Sequence, residues 1–164
     1  MKELFDKFKK ISLYQAKNLN FIDTCLFISV FEHNDKVNDF KKLKNKAMTS
    51  FNVQELIKVN KKLGHTKHSI RKFLENAEND ELTIIDVGVL PGERETEKQF
   101  VNSIEPKLLK HCQDPSDAVL IAAAIKTRSN LFTKDKHHIF NVDLENFANK
   151  HNIKIYKELS DVIF

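Results

Sequence analysis

Short apolar stretches of strand length alternate with segments of helical period along this chain. Phe21-Ile22-Asp23, Ala47-Met48-Thr49-Ser50, Leu82 to Leu90, Asn130-Leu131-Phe132-Thr133 and Ile153-Lys154-Ile155-Tyr156 read as strands. Between them, a helix begins at Leu26-Phe27-Ile28, one covers 53–63 and stops at Gly64, and another near 68–78 carries Ile70, Phe73, Leu74 and Ala77. Further helices run through Phe100, Val101 and Ile104, through Ala118 to Ile125, and near 143–150, with Pro106 stopping the first of these or opening another. Such alternation needs crossover connections, and crossovers produce parallel strands covered on both faces. The expected fold is an α/β three-layer sandwich, α/β/α, with a central parallel sheet. Residues 2–12 read as an amphipathic helix with Leu4, Phe5, Phe8 and Ile11 on one face. The chain is therefore expected to form a single domain over 1–164, with 1–19 as an N-terminal helical extension.

At 164 residues, 41% apolar and 30% charged, the chain has the length and balance of one soluble domain. No apolar run approaches the ~20 residues of a membrane span, and Met1 to Phe8 lacks the continuous apolar centre of a signal peptide. A cytoplasmic protein without a membrane partner is the expectation. Cys25 and Cys112 form no C-x-x-C pair and read as buried reduced thiols. The seven histidines, His137-His138 included, show no zinc-ligand spacing.

Four acids stand at the edges of the apolar stretches: Asp23, Glu55, Asp117 and Asp135. A carboxylate at a strand end, or in the first turn of a helix packed on the sheet, points into the crevice where open α/β sheets bind ligands. Each acid also has a capping explanation. Asp23 can cap the following helix, and Glu55, three residues after Asn52, is close to a capping box. Asp114 before Pro115 is a good N-cap, with Asp117 then favoured by the helix dipole, and Asp135 can be a turn residue. Gathered in one crevice, four carboxylates repel one another. Two unit charges about 4 Å apart interact by roughly 4 kcal/mol at an effective dielectric of 20. Such a cluster calls for a divalent cation, and oxygen ligands suit Mg²⁺ or Mn²⁺. The chemistry indicated is metal-dependent hydrolysis of phosphate esters.

The order and setting of these acids resemble the PIN-domain ribonucleases. Phe21-Ile22-Asp23-Thr24 is similar to that family's first strand end, and Met48-Thr49-Ser50 followed by Glu55 to its second acid. Asp117-Ala118-Val119-Leu120-Ile121-Ala122-Ala123-Ala124 fits the acid that opens an Ala-rich helix, and Leu131-Phe132-Thr133-Lys134-Asp135-Lys136 fits its Thr-basic-Asp turn. The resemblance runs from about residue 20 to 157. It implies that Asp23, Glu55, Asp117 and Asp135 are catalytic and bind Mg²⁺ or Mn²⁺. It also implies an RNA substrate cut to leave a 5′-phosphate and a 3′-hydroxyl, Thr133 orienting a carboxylate or water, and a homodimer. In the toxin-type (VapC-like) branch an antitoxin-type protein partner is implied too. The segment 1–19 and the long stretch from Leu82 to Cys112 depart from the smallest members, so a stand-alone processing nuclease is an equal expectation.

Net charge is only +4, but Lys58, Lys61, Lys62, His65, Lys67, His68, Arg71 and Lys72 cluster, preceded by Lys41, Lys42, Lys44 and Lys46. Alone these are solvated helix faces; beside an acidic metal site they suit a polyanionic substrate. A non-catalytic RNA-binding or scaffold module of the same fold is the alternative, distinguished by its indifference to Mn²⁺. Aspartyl-phosphate enzymes fit poorly. Cys25 occupies the place of the second Asp of haloacid-dehalogenase-type enzymes, and Leu19-Asn20-Phe21-Ile22 lacks a receiver domain's acidic pair.

Overall fold

The computed structural model describes residues 1–134 and 141–162. Its elements in chain order are α1 (Lys2–Phe5), β1 (Lys9–Ser12), β2 (Asn20–Ile22), α2 (Thr24–Glu32), α3 (Asn34–Lys42), β3 (Lys46–Thr49) and α4 (Ser50–Val59). They continue through a 3₁₀ turn at Asn60–Lys62, α5 (Thr66–Asn76), β4 (Thr83–Asp86), α6 (Arg94–Ile104), α7 (Leu108–His111), α8 (Pro115–Thr127), β5 (Asn130–Phe132), α9 (Val142–Lys150) and β6 (Ile155–Tyr156). One six-stranded sheet, order β1-β4-β3-β2-β5-β6, is parallel throughout. This is the three-layer α/β/α sandwich.

Alternation along each strand explains how the sheet is covered. Phe21, Ala47, Ile85 and Leu131 face one core with α6, α7, α8 and α9. Their neighbours Ile22, Met48, Ile84 and Phe132 face the other, with α1, α2, α3 and α5. Because both faces are buried, the strands read as continuous apolar runs. Burying a side chain such as Phe21 or Phe132 completely contributes about 1.5–3 kcal/mol. The alanines of α8, fully buried at Ala122, Ala123 and Ala124, let that helix lie close on the sheet.

β2, β3 and β4 step outward on one side, whereas β5 and β6 build on the other flank of β2. The order therefore reverses between β2 and β5. The helices that follow those strands, α2 and α9, pack on opposite faces of the sheet, and a crevice opens at the carboxyl end of β2.

Two expectations fail, and one helix is not among those expected. Residues 2–12 are not one helix and 1–19 is not a helical extension: after a single turn, Lys9–Ser12 becomes the edge strand β1, with Ile11 opposite Ile85. Pairing supplies the hydrogen bonds that β4 would otherwise leave bare, and this overrides the local helical period. The stretch Leu82 to Leu90 stays in the sheet only over Thr83–Asp86. Asp86 Oδ1 accepts from the Gly88 amide at 3.0 Å and Gly88 takes φ +68°, so the chain turns away. The polar helix α3, with Asn34, Asp35, Asn38 and Asp39 in its sequence, carried too little apolar signal to be read, although Phe40 anchors it.

Candidate active site

The crevice is a pocket of about 680 Å³ whose walls include Asp23, Glu55 and Asp117 together with Thr24, Cys25, Lys58 and Lys134. Three of the four acids singled out in the sequence thus share one pocket. Asp135, the fourth, lies outside the described residues, as do His137 and His138.

Asp23 follows β2 as the N-cap of α2, its Oδ1 accepting from the Thr24 amide at 2.7 Å. Its Oδ2 accepts from the Thr133 hydroxyl at 2.6 Å and from the Cys25 thiol at 3.2 Å. Thr133 directly follows β5, so this short bond fastens the ends of the two strands that flank the reversal. Cys25 is half-buried in the pocket wall, not buried as expected. Burial and the neighbouring Asp23 charge push its thiol up to about 12.

Glu55 reaches the same pocket from α4. That helix is capped by Thr49, whose hydroxyl oxygen accepts from the Asn52 amide at 3.0 Å, so Glu55 lies beyond the first turn and is not a capping residue. The residue that joins Glu55 to Asp23 is Asn52, 2% exposed. Its Nδ2 lies 3.2 Å from Asp23 Oδ1, 3.1 Å from Thr24 Oγ1 and 3.1 Å from Glu55 Oε2, and its Oδ1 accepts from the Thr49 hydroxyl at 2.6 Å. Thr24 Oγ1 also donates to Glu55 Oε2 at 2.9 Å. From sequence Asn52 reads only as a cap before Glu55, whereas Thr49-Ser50-Phe51-Asn52 has the spacing of a capping box with an amide in the third position.

Asp117 stands in the first turn of α8, which Asp114 caps by accepting from the Ser116 amide at 3.0 Å. Asp114 also pairs with Arg94 at 2.6 Å and is absent from the pocket wall. Glu97, fully buried, ties this helix start to the rim: its carboxylate accepts from the Ser116 hydroxyl at 3.0 Å and from the Gly92 amide at 2.9 Å. Replacing Glu97 with Ala leaves the Gly92 amide and Ser116 hydroxyl without that partner. A loss of about 1–3 kcal/mol is expected, measurable by urea denaturation, and an unchanged midpoint would contradict it.

Burial raises the Glu55 carboxyl to about 7, helped by the charges of Asp23 and Asp117 and opposed by the Thr24 and Asn52 hydrogen bonds. Its folded pKa lies above the unfolded value near 4.5, so this group's favourable contribution is complete below pH 4.5 and fades as pH rises through 7. In EDTA, wild-type stability is expected to fall more steeply than that of Glu55→Gln between pH 5 and 8.5. Allowing for partial solvation, the gap is about 1–3 kcal/mol. Parallel pH profiles in thermal melts would refute this.

The donors fit Mg²⁺ or Mn²⁺ chemically: they are hard oxygens, and crowded negative charge is what a divalent cation relieves. Among the described residues, no group of three or more His, Cys, Asp or Glu side chains is itself disposed to hold a metal ion. Asp23 and Glu55 are joined through Thr24 and Asn52, so a cation would meet an open, partly hydrogen-bonded set instead of a closed cage.

Lys58 Nζ donates to the Pro91 carbonyl at 2.7 Å, and Lys134 Nζ lies 3.7 Å from Glu158. Both cations are thereby held on the pocket wall. Lys46, by contrast, is 6% exposed and donates to the Leu43 carbonyl at 2.7 Å, which removes it from the basic surface expected around Lys41 to Lys46. No described helix is long and apolar enough to cross a membrane.

A search of curated proteins found no match. A family model, described as PIN domain, matches residues 21–143. That span begins with β2, takes in Asp23, Glu55 and Asp117, and covers most of the 164 residues. The chain belongs to the PIN-domain family, whose members are generally metal-dependent nucleases.

Proposed function

We propose that this protein is a Mg²⁺- or Mn²⁺-dependent ribonuclease that hydrolyses phosphodiester bonds with Asp23, Glu55 and Asp117 as its cation-binding acids, joined by Asp135. The observation that carries the reading is the convergence of the first three acids on one pocket, with two lysines on the same wall. A bound cation supplies an activated water near neutral pH and stabilises charge on the phosphoryl oxygens.

This chain's own residues prepare that chemistry. Thr133, Cys25 and the Thr24 amide fix both oxygens of Asp23, so the carboxylate loses little freedom on binding a cation. Asn52 and Thr24 both hydrogen-bond Glu55 Oε2, leaving Oε1 to carry the proton that is given up as a cation binds. Lys58 and Lys134 offer positive charge to the scissile phosphate, offsetting its repulsion from the acids.

The test is to incubate purified protein with labelled RNA and DNA of one sequence in Mg²⁺, Mn²⁺ or EDTA. RNA is expected to be cut in either cation and spared in EDTA, leaving 5′-phosphate ends. Cutting that persists in EDTA, or no cutting in either cation, would contradict the proposal.

A further inference from the structure

Helix α2 walls two pockets. Cys25 and Ile28 face the acidic one, and Phe31, one turn further on, faces a second cavity of about 520 Å³ between α2, α3 and α5. The segment after Glu55 borders both: Lys58 and Val59 line the first, His68, Lys72 and Phe73 the second. Helix α2 and the segment from Lys58 to Phe73 thus contribute walls to both cavities.

The second cavity combines three kinds of chemistry. Phe31 and Phe73, with centroids 5.1 Å apart, provide an aromatic wall, and Phe73 is half-buried, its ring braced against Phe40 at 5.6 Å. Lys41 and Lys72 are exposed, with His68 also on the lining. The acid of the lining, Glu81, sits 3.6 Å from the buried ammonium of Lys46, so its charge is matched from within and the cavity presents net positive charge. Aromatic surface flanked by cations suits a base with its phosphates. Stacking on an aromatic ring is worth about 1–3 kcal/mol per base and is tolerant of sequence.

We infer that this second cavity holds a nucleotide of the same single-stranded RNA whose scissile phosphate occupies the acidic pocket, with Phe73 beneath the base and Lys41 and Lys72 on the backbone. The inference rests on the ribonuclease reading for its substrate class. The cavity acts as a positioning site: it sets affinity and register and leaves the hydrolytic groups untouched. Short substrates that fill only the acidic pocket gain nothing from it.

Binding of a labelled 12-nucleotide RNA, followed by fluorescence anisotropy at fixed salt, tests this in protein carrying Asp117→Asn, so that cleavage does not intervene. Adding Lys41→Glu and Lys72→Glu is expected to weaken binding at least tenfold. A pair with the same charge change on the opposite helical layer, Lys110→Glu with Lys126→Glu, is expected to weaken it less than threefold. Phe73→Leu, which keeps apolar bulk but removes the ring, is expected to weaken RNA at least threefold and to leave an abasic strand unaffected. Equal losses from both charge pairs would reduce the effect to general electrostatics and overturn the proposal. Unchanged RNA affinity in the pocket variant would also overturn it and leave the cavity to an acidic protein segment. Failure of wild-type protein to cut RNA would sink the ribonuclease reading alone, because the binding comparison is read without catalysis.

Discussion

Asp117→Asn is expected to reduce RNA cleavage by at least about a thousandfold, equivalent to roughly 4 kcal/mol of lost transition-state stabilisation. The substitution is nearly isosteric; it removes the charge and replaces one acceptor oxygen with an NH2 donor. Asp114 caps α8, so the helix keeps its first-turn hydrogen bond when Asp117 changes. Loss of the favourable acid–dipole interaction costs about 0.3–1 kcal/mol. Relief of the repulsion that helps to raise the Glu55 carboxyl works in the opposite direction. Stability should therefore barely move while activity disappears. Single-turnover rates and thermal melts on the same preparation check both halves. A variant that keeps near-wild-type, EDTA-sensitive cleavage would show that Asp117 is not a cation-binding acid.

Asn52→Ala is expected to damage both fold and activity. One buried amide faces Asp23, Thr24 and Glu55 through its nitrogen and receives the Thr49 hydroxyl on its oxygen. Truncation opens a cavity beside two carboxylates and leaves several buried polar groups short of a partner, at a cost of about 2–4 kcal/mol. Cleavage should fall about a hundredfold or more, because Asp23 and Glu55 lose the group that holds them in mutual register. Asn52→Asp separates the two effects. It preserves volume but removes the donor and adds a negative charge, so it should be strongly destabilised in EDTA and largely restored by Mn²⁺. Equal melting of wild type and Asn52→Asp in EDTA would contradict this role for the amide.

The layered fold was legible because each strand interior carries apolar residues for both faces, as at Phe21-Ile22 and Leu131-Phe132, and because α8 couples a cap at Asp114 to an Ala-rich body. The acids at Asp23 and Asp117 were legible for a related reason: each adjoins a deeply buried segment that fixes which edge of the sheet it joins. Less was readable where tertiary context decides. Lys9–Ser12 becomes a strand because β4 offers an edge, a fact outside its own local pattern. Lys46 resembles its exposed neighbours in sequence, yet its ammonium turns inward to the Leu43 carbonyl. Asn52 reads from sequence only as a helix cap, because spacing does not reveal that the geometry of this pocket depends on an amide able to donate and accept at once.

Whether Asp23, Glu55 and Asp117 together form a divalent-cation site is decided by calorimetric titration of Mn²⁺ into wild-type protein and Asp117→Asn at pH 8. Saturable binding to the wild type and at least tenfold weaker binding to the variant are expected. Equal affinity for both proteins, or no heat of binding to the wild type, would contradict it.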